Sequence, residues 1–233
     1  MMRLMKKHAL MLVVFVLSVW VVGGCSSDGN PVASGEIVGD LFPFGVGRIW
    51  VSTAYDLDTT GQKIEASTHR EVLYAKSAVS FAGKSAFLMI DSVYATSGQL
   101  SFVDSTYMAT ENGDFFLYSF GSWLSVFKKS EGLNKEYVAG TIVITDFGFP
   151  VPAEVKGKIY PKETVVTPKG NMEAYKLEIK FSISFGSIAI EEILNVWFAD
   201  GVGPVKFQTP PVYDPLFGRT INGRESVLVS TNF

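Results

Sequence analysis

The sequence has little of three kinds of residue on which many functional sites depend. It contains one cysteine, Cys25, and two histidines among 233 residues, and only 18% of its residues are charged. A single thiol excludes an intramolecular disulfide framework. Two histidines cannot supply a site of three imidazoles, and no basic run marks a nucleic-acid surface. From the residues alone we expect no metal, no cofactor and no nucleic-acid partner.

The sequence also lacks an apolar run long enough for a membrane span near its N-terminus. Residues 9–22 are apolar apart from Ser18, whereas a spanning helix requires about 20 apolar residues. A basic start without acidic residues precedes this run, and two glycines follow it. This order predicts a cleaved export signal over residues 1–24. Because the signal holds three basic residues and no acid, its removal would change the formal net charge from −3 to −6.

The single cysteine comes directly after this signal. Val22, Gly23, Gly24 and Cys25 resemble the lipobox of bacterial lipoproteins, with Gly23 where the family usually has alanine or serine. The resemblance implies that the Cys25 thiol receives a diacylglyceryl group, that cleavage precedes Cys25, and that the new amine is acylated. A thiol is strongly nucleophilic near neutral pH, which suits this modification. The alternative is that Cys25 is a chance residue of an ordinary signal peptide or a short anchor.

The residues that follow Cys25 predict a tether and a cellular address. Residues 25–36 are small and polar and contain proline and glycine, which is typical of a flexible link. Ser26 stands where an aspartate retains many lipoproteins at the inner membrane. By resemblance to that sorting rule, we expect the periplasmic face of the outer membrane if the source has two membranes. Membrane lipid, bound through acylated Cys25, would then be one partner of the chain.

The rest of the chain has the pattern of an all-β protein. From about Phe44 onward, turn signals recur every 8–12 residues between short segments that alternate apolar and polar residues, as in sandwiches and barrels. We predict one mainly antiparallel domain, residues 37–233, with one strongly curved sheet that forms a half-barrel or barrel. A β-sandwich is the alternative. Only residues 75–81 and 128–137 are candidates for short helices.

Three dipeptides mark expected turns between strands. Asn112-Gly113 is the strongest short hairpin signal in the sequence, since both residues tolerate positive φ. Gly121-Ser122 suits a two-residue loop of type II′, which takes glycine at its first position. A last hairpin is expected around Asn222-Gly223.

Short motifs that resemble catalytic or binding loops lack the residues that would complete them. Gly83-Lys84-Ser85 has no glycine five residues before its Gly-Lys pair, so we interpret it as a polar turn rather than a phosphate-binding loop. Residues 56–61 begin like a calcium loop, but Ser67 replaces the bidentate acid at position twelve. A hairpin turn is favoured there. Ser125 and Lys128 have the spacing of penicillin-recognising enzymes without their two further motifs.

The remaining titratable candidates do not form a catalytic set. His69 is the one histidine after the signal, and we interpret it as a solvated strand residue. Glu191 and Glu192 are adjacent acids, but adjacent residues of a strand face opposite sides of a sheet. They could not act together as a general acid and base without a bulge. We therefore do not expect an enzyme.

Three further segments resemble motifs of a broad group of bacterial envelope lipoproteins. They are FPFGVGRIW at residues 42–50, ETVVTPKGNMEAYK at residues 163–176 and VWFADGVGPVK at residues 196–206. The group is similar in plan to the curved antiparallel sheets of lipoprotein carriers of the LolA and LppX type. This sequence differs in having Met172 where phenylalanine is usual. The resemblance implies a fold and a cell-envelope address, and it supplies no catalytic residue.

Aromatic residues, which make up 13% of the chain, indicate what such a sheet would bind. Sites for hydrophobic ligands are apolar concavities with few polar groups. We predict a non-enzymatic lipoprotein that binds a hydrophobic ligand or lipid, with Trp50, Trp123 and Trp197 as candidate ligand-binding residues. The alternative is a structural or assembly lipoprotein that binds another cell-envelope protein through an exposed sheet edge. A deep apolar cavity would favour the first hypothesis, and a filled core with a large exposed patch the second.

Overall fold

The computed structural model of the protein describes four stretches of the chain, residues 37–144, 150–185, 188–214 and 219–233. The predicted signal peptide and tether lie outside these stretches, as do the residues assigned to lipidation, signal recognition and sorting, namely Val22, Gly23, Gly24, Cys25 and Ser26. Within the described stretches, no helix is long and apolar enough to cross a membrane.

The described secondary structure consists of β-strands and two 3₁₀ turns, Glu65–Ser67 and Lys129–Glu131. The strands of the first half are β1 (Ile49–Leu57), β2 (His69–Phe81), β3 (Lys84–Tyr94), β4 (Leu100–Glu111), β5 (Asp114–Ser119) and β6 (Ser122–Phe127). The strands of the second half are β7 (Glu136–Ile144), β8 (Val151–Thr167), β9 (Gly170–Phe185), β10 (Ile188–Ala199), β11 (Gly203–Thr209), β12 (Val212–Asp214), β13 (Arg219–Ile221) and β14 (Gly223–Thr231).

One antiparallel sheet of 12 strands curls into a nearly closed barrel. Its order is β6-β5-β4-β3-β2-β1-β14-β11-β10-β9-β8-β7, and β12 pairs with β13 as a separate hairpin. β14 lies between the two halves and pairs with β1 on one side and β11 on the other. The prediction of a strongly curved, all-β sheet is confirmed. The architecture is one closing sheet rather than the two facing sheets of a sandwich.

The segment at residues 75–81, a candidate helix in the sequence, is the second half of β2, so that prediction is wrong. Its side chains alternate between buried or half-buried and exposed from Ala75 to Phe81, which is the period of a strand. Pairing with β3 satisfies its backbone, and this tertiary context overrides the local preference. In the second candidate, residues 128–137, the helical part is limited to the 3₁₀ turn Lys129–Glu131, and strand β7 begins at Glu136.

The hairpin loops show which predicted turns form. Asn112-Gly113 connects β4 to β5 as predicted, with φ of 54° and 85°. The loop between β5 and β6 is Phe120-Gly121, with φ of 49° and 82°, so the predicted position at Gly121-Ser122 is wrong by one residue. Positive φ at both positions makes a type I′ loop, whose twist matches the flanking strands. Ser122 already pairs with Ser119 in the ladder.

The predicted hairpin around Asn222-Gly223 is also wrong. β13 pairs with β12, whereas β14 begins at Gly223 and pairs with β1 and β11. A Cβ at Gly223 would lie 2.5 Å from the carbonyl oxygen of Thr209. Close approach of two backbones therefore explains the glycine, rather than a hairpin turn.

Aromatic rings fill one end of the barrel. Phe42, from the segment before β1, is buried and stacks on Phe115 with ring centroids 4.7 Å apart. The Phe42 ring also meets the rings of Phe127 and Phe198 in T-shaped contacts at 5.2 and 4.9 Å. Offset and edge-to-face arrangements of this kind are favoured between aromatic side chains. The FPFGVGRIW segment thus supplies core to this end, which we call the aromatic end.

The barrel closes between its two edge strands, β6 and β7, which are not joined by a described ladder of backbone hydrogen bonds. Side chains bridge them instead. The Tyr137 hydroxyl donates to the Val126 carbonyl oxygen at 2.7 Å, and the Lys128 ammonium donates to the Val138 carbonyl oxygen at 2.8 Å. The Tyr137 ring packs over Gly157, where a Cβ would lie 2.5 Å from it. This seam therefore depends on a tyrosine packed against a glycine.

We expect Tyr137→Phe to weaken the seam. The hydroxyl also accepts the backbone N–H of Lys128 at 3.2 Å, so its loss leaves that N–H and the Val126 carbonyl without this partner. The expected loss of unfolding free energy is about 1–3 kcal/mol, measured by urea unfolding. Tyr213→Phe is the control because Tyr213 is 49% exposed. Equal stability of Tyr137→Phe and the wild type would contradict this account of the seam.

Candidate functional site

Beyond the aromatic end, the wall of the barrel forms a partly open cavity of about 750 Å³, which we call the main cavity. One wall comes from β1 to β4, and the other comes from β9, β10, β11, β13 and β14. A smaller cavity of about 220 Å³ adjoins it, and the two share Asp91, Phe207 and Arg224. The main cavity falls within the range of about 300–1,000 Å³ that is common for small-molecule sites.

Apolar side chains from six strands line the main cavity. They are all half-buried, and they are Val93, Phe102, Phe181, Leu194, Phe207 and Ile221. The pleat explains their direction, because residues directly opposite in a ladder share a face of the sheet. Phe181 of β9 lies opposite Glu192 of β10, so an aromatic ring and a carboxyl enter the interior side by side. The lining therefore combines apolar surface with a few charged groups.

A cluster of three charged or polar side chains, Arg224, Glu71 and His69, lies in the wall of the cavities. The Arg224 guanidinium forms an ion pair with Glu71 and donates to His69 Nε2 at 3.1 Å. Because arginine can only donate, Nε2 accepts, and the His69 Nδ1–H donates to the Ser67 carbonyl oxygen at 2.9 Å. Burial lowers the pKa of Arg224. The cation of this cluster is thus already matched by Glu71.

The interpretation of His69 as a solvated residue is wrong. Its side chain is only 18% exposed, and it lies on β2 opposite Ala54 of β1. Its ring faces the main cavity because β2 curves with the rest of the wall. The local sequence is polar, but the polar residues belong to this internal cluster rather than to the solvent.

Asp91 is a second acid in the wall and borders both cavities. Burial raises its pKa to about 6, and repulsion from Asp104 adds to the increase. The two acids are directly opposite in the β3–β4 ladder. Their repulsion therefore follows from the register of the sheet.

Glu192 lines the main cavity without a partner in the described part of the chain. The residue is 8% exposed, and no described side chain or backbone group forms a hydrogen bond or ion pair with its carboxyl group. Burial raises its pKa to about 8. Its neighbour Glu191 faces outward, with a side chain that is 57% exposed and lies 3.9 Å from the Lys180 ammonium. The prediction that the two acids face opposite sides is confirmed.

The three tryptophans selected from the sequence do not converge on one site. Trp50 is 2% exposed, borders the smaller cavity and donates its indole N–H to a backbone carbonyl oxygen at 2.6 Å. Trp197 is 6% exposed and donates to the Glu163 carboxylate. Trp123 donates to the Ala82 carbonyl oxygen at 3.0 Å. Trp123 and Trp197 do not border either cavity, and a role in ligand binding stays a prediction for all three.

The other sequence motifs have structural explanations. Asp58 Oδ1 accepts hydrogen bonds from the N–H groups of Thr60 and Gln62 at 2.8 and 2.9 Å, which confirms a turn at residues 56–61. Ser125 lies on strand β6, whereas the penicillin-recognising motif requires a helix. Across the described stretches, no three His, Cys, Asp or Glu side chains are grouped as metal ligands. The arrangement around the main cavity can enclose an apolar body and present carboxyl groups to it.

Sequence reasoning missed Glu71, Asp91 and Arg224. One signal was present, because Asp91 continues the alternation of Phe87 and Met89 along β3 and therefore shares their face. A charged residue on such a face predicts a buried charge. Its neighbours could not be identified without the sheet order, since they come from β2 and β14.

Comparisons with known proteins show a shared fold but do not assign the chain to a family. No family model matches the sequence, and no curated protein matches it either. The structure is similar to a chain from Parabacteroides distasonis ATCC 8503 that is provisionally described as a lipoprotein. The TM-score is 0.53 at 16% identity, over 83% of this chain and 99% of that chain. At this identity the likeness shows a shared fold.

Two other solved chains are more distant. One is a provisionally described exported protein with a YmcC-like fold from Bacteroides fragilis NCTC 9343, with a TM-score of 0.47, 14% identity and coverage of 84% of this chain and 100% of that chain. The other is LprF from Mycobacterium bovis, with a TM-score of 0.18, 9% identity and coverage of 79% and 84%.

Proposed function

We propose that this protein is a lipid-anchored bacterial lipoprotein of the cell envelope that binds a hydrophobic ligand or lipid and has no enzymatic activity. The observation that carries the proposal is the main cavity of about 750 Å³, with Phe181, Leu194 and Phe207 among its lining. Moving apolar surface out of water contributes roughly 25 cal/mol per Å². A hydrocarbon group that entered this cavity would therefore be held without any specific polar contact.

The anchor rests on the N-terminal sequence. The lipobox-like tetrapeptide that ends at Cys25 precedes a short polar segment, and the described domain begins at Ile37. Anchor, tether and domain thus follow in the order that a lipoprotein requires. The chain from Parabacteroides distasonis, which has the same fold, is itself provisionally described as a lipoprotein. With Ser26 after the modified cysteine, we propose the periplasmic face of the outer membrane if the source has two membranes.

Mass spectrometry of the membrane-extracted protein tests both parts of the proposal. Under denaturing conditions we expect the mass of residues 25–233 plus acyl groups, and Cys25→Ala should lose them because it lacks the thiol. Under native conditions we expect a further non-covalent mass of lipid size. An uncleaved chain without acyl groups would refute the anchor, and absence of any adduct would refute ligand binding.

Matched variants locate the adduct. Leu194→Trp places a large ring in the main cavity and should remove the adduct, and Ile221→Trp should do so from another strand, β13. Val166→Trp is the control, because Val166 is 73% exposed on β8. Circular dichroism confirms that each variant is folded. Equal adducts in all three variants would mean that the lipid binds elsewhere.

A specific observation also favours binding to another envelope protein. β7 is an edge strand that side chains, and no described backbone ladder, link to β6, and its Val138 and Val143 are 50% and 47% exposed. An edge strand with exposed apolar residues can pair with a strand of another chain. If native spectra show no lipid adduct, crosslinking from position 143 in intact cells becomes the decisive experiment for this second function.

A further inference from the structure

This inference rests on the proposed function and concerns one group in the lining of the main cavity, the carboxyl of Glu192, which indicates the chemical class of the ligand. We propose that the main cavity takes an amphiphile whose apolar body carries a protonated amine, and that the Glu192 carboxylate is the anchor of that amine. The ligand class is therefore a long-chain amine or a lipid with an amino head group.

The first argument is the state of Glu192 in the free protein. It is 8% exposed, it borders the cavity, and no described group donates to its carboxyl oxygens. Buried carboxyl groups are ordinarily hydrogen-bonded or paired, because leaving them without a partner is costly. An ammonium group offers three donors and the complementary charge. A ligand amine would supply the hydrogen-bond donors and the opposite charge that the Glu192 carboxylate lacks in the free protein.

The second argument is the charge of the surroundings. Four acids line the two adjoining cavities, and they are Asp56, Glu71, Asp91 and Glu192. Three cations line the same cavities, and each has a partner. Arg224 contacts Glu71 and His69, Lys206 pairs with Glu225, and Arg219 has an interaction of its own. When Glu192 is ionised, the lining therefore has one more acid than it has cations. A cationic head group relieves this excess, whereas a carboxylate or phosphate would add to it.

The third argument is the group beside Glu192. Phe181 is directly opposite Glu192 in the β9–β10 ladder, and side chains at such positions have Cβ atoms about 4.5–5.5 Å apart. An aromatic ring next to a carboxylate suits an ammonium group, which is attracted to both. Phe207 and Leu194 continue the apolar lining for the rest of the ligand.

Binding would move a proton. Burial raises the pKa of free Glu192 to about 8, so at pH 7 the carboxyl is mainly protonated. When the ammonium binds, the carboxyl O–H releases its proton to the solvent and the carboxylate pairs with the cation. No covalent bond of the ligand changes. Amine affinity should therefore increase from pH 6 to pH 8, with release of close to one proton at the lower end.

The other titratable groups that face this cavity are Asp56 from β1, His69 from β2, Asp91 from β3, Arg219 from β13 and Arg224 from β14. The strands next to β10 present Phe181 and Phe207 to the cavity. Asp91, with a pKa of about 6, also ionises near the lower end of the range from pH 6 to pH 8. Comparison of Glu192→Gln with the wild type at each pH removes the contribution of these groups.

Isothermal titration calorimetry with three amphiphiles of equal chain length tests the proposal. The probes are dodecylammonium, dodecanol and dodecanoate, with the two ions below their micelle concentrations and dodecanol below its solubility limit. The protein is the whole mature chain, residues 25–233, with Cys25→Ala so that no acyl chain of its own competes. At pH 8 the wild type should bind the amine at least ~10-fold more tightly than the other two, as expected for one charge-assisted hydrogen bond.

Variants at two adjacent acids distinguish amine binding by Glu192 from a general effect of removing one negative charge. Glu192→Gln should lose the amine preference and its proton release but retain dodecanol affinity. Glu191→Gln removes the same charge from the outer face and should change neither the amine preference nor the proton release. Proton release by the wild type, measured in buffers of different ionisation enthalpy, provides a readout that does not depend on any variant.

Each outcome decides one of the two proposals. Equal affinity for the three probes would overturn the amine anchor and leave the hydrophobic site in place. Tightest binding of dodecanoate would assign the polar end of the site to the arginines instead, which also overturns the proposal. A preference that persists in Glu192→Gln would mean that another acid is the anchor. Absence of binding by every probe would refute the proposed function itself.

Discussion

Replacement of Phe127 by alanine is expected to lower the free energy of unfolding by about 3–5 kcal/mol. Phe127 is 0% exposed and fixes the aromatic end, where its ring meets those of Phe42 and Phe198 at 5.2 and 6.0 Å. The truncation removes apolar area and also leaves a void, because rings held by three separate segments cannot collapse into it. Urea unfolding followed by tryptophan fluorescence measures the loss.

Phe120→Ala is the matched control for that substitution. Phe120 is 40% exposed and belongs to the loop between β5 and β6, so its change should alter stability by no more than about 0.5 kcal/mol. A loss below about 1 kcal/mol for Phe127→Ala would show that the aromatic end can repack. The aromatic end would then not be a rigidly packed boundary of the main cavity.

The stability of the wild type should fall as pH increases from about 4.5 to about 8, and Glu192→Gln should remove much of this fall. Burial raises the pKa of Glu192 from 4.5 in the unfolded chain to about 8 in the folded protein. Between these values the folded state binds more protons than the unfolded state, so stability decreases with pH. The full difference is on the order of 4 kcal/mol at pH 8.

The measurement is the unfolding free energy of both proteins at several pH values from 4.5 to 8.5. Their difference should be small at pH 4.5, where the neutral carboxyl resembles the amide, and should grow toward pH 8. Glu191→Gln serves as the control, because Glu191 is exposed and lies near Lys180. A difference between Glu192→Gln and the wild type that stays constant with pH would contradict a buried, unpaired carboxyl.

Much of the fold could be predicted from alternation and turn residues, because both act locally. β9 and its neighbours alternate over long segments, and Asn112-Gly113 specifies its loop without help from the rest of the chain. β8 runs from Val151 to Thr167 without interruption, although it contains Pro161. Pro161 lies where the register with β9 shifts, between Ile159 and Lys162. A proline is tolerated at such an irregularity, so it does not end the strand.

The candidate site was less predictable, because its groups meet only through the order of the sheet. Arg224 reaches Glu71 because β14 and β2 lie on either side of β1, and no local pattern reports that order. The tryptophans were chosen for their apolar size, but size alone does not distinguish residues that fill a core from residues that border a cavity. Adjacent acids were correctly expected to diverge, yet burial of Glu192 depends on the far wall.

The position of β14 has a consequence for the biogenesis of the protein. Trp50 of β1 pairs with Thr231 of β14, so the barrel depends on contacts between the two ends of the sequence, and such contacts slow folding. During synthesis and export β1 appears before the other described strands, and one of its edges has no strand to pair with until β14 has been made. Unpaired edges promote aggregation. The meander of β1–β6 and the meander of β7–β11 therefore share no described backbone ladder until Gly223–Thr231 lies between them.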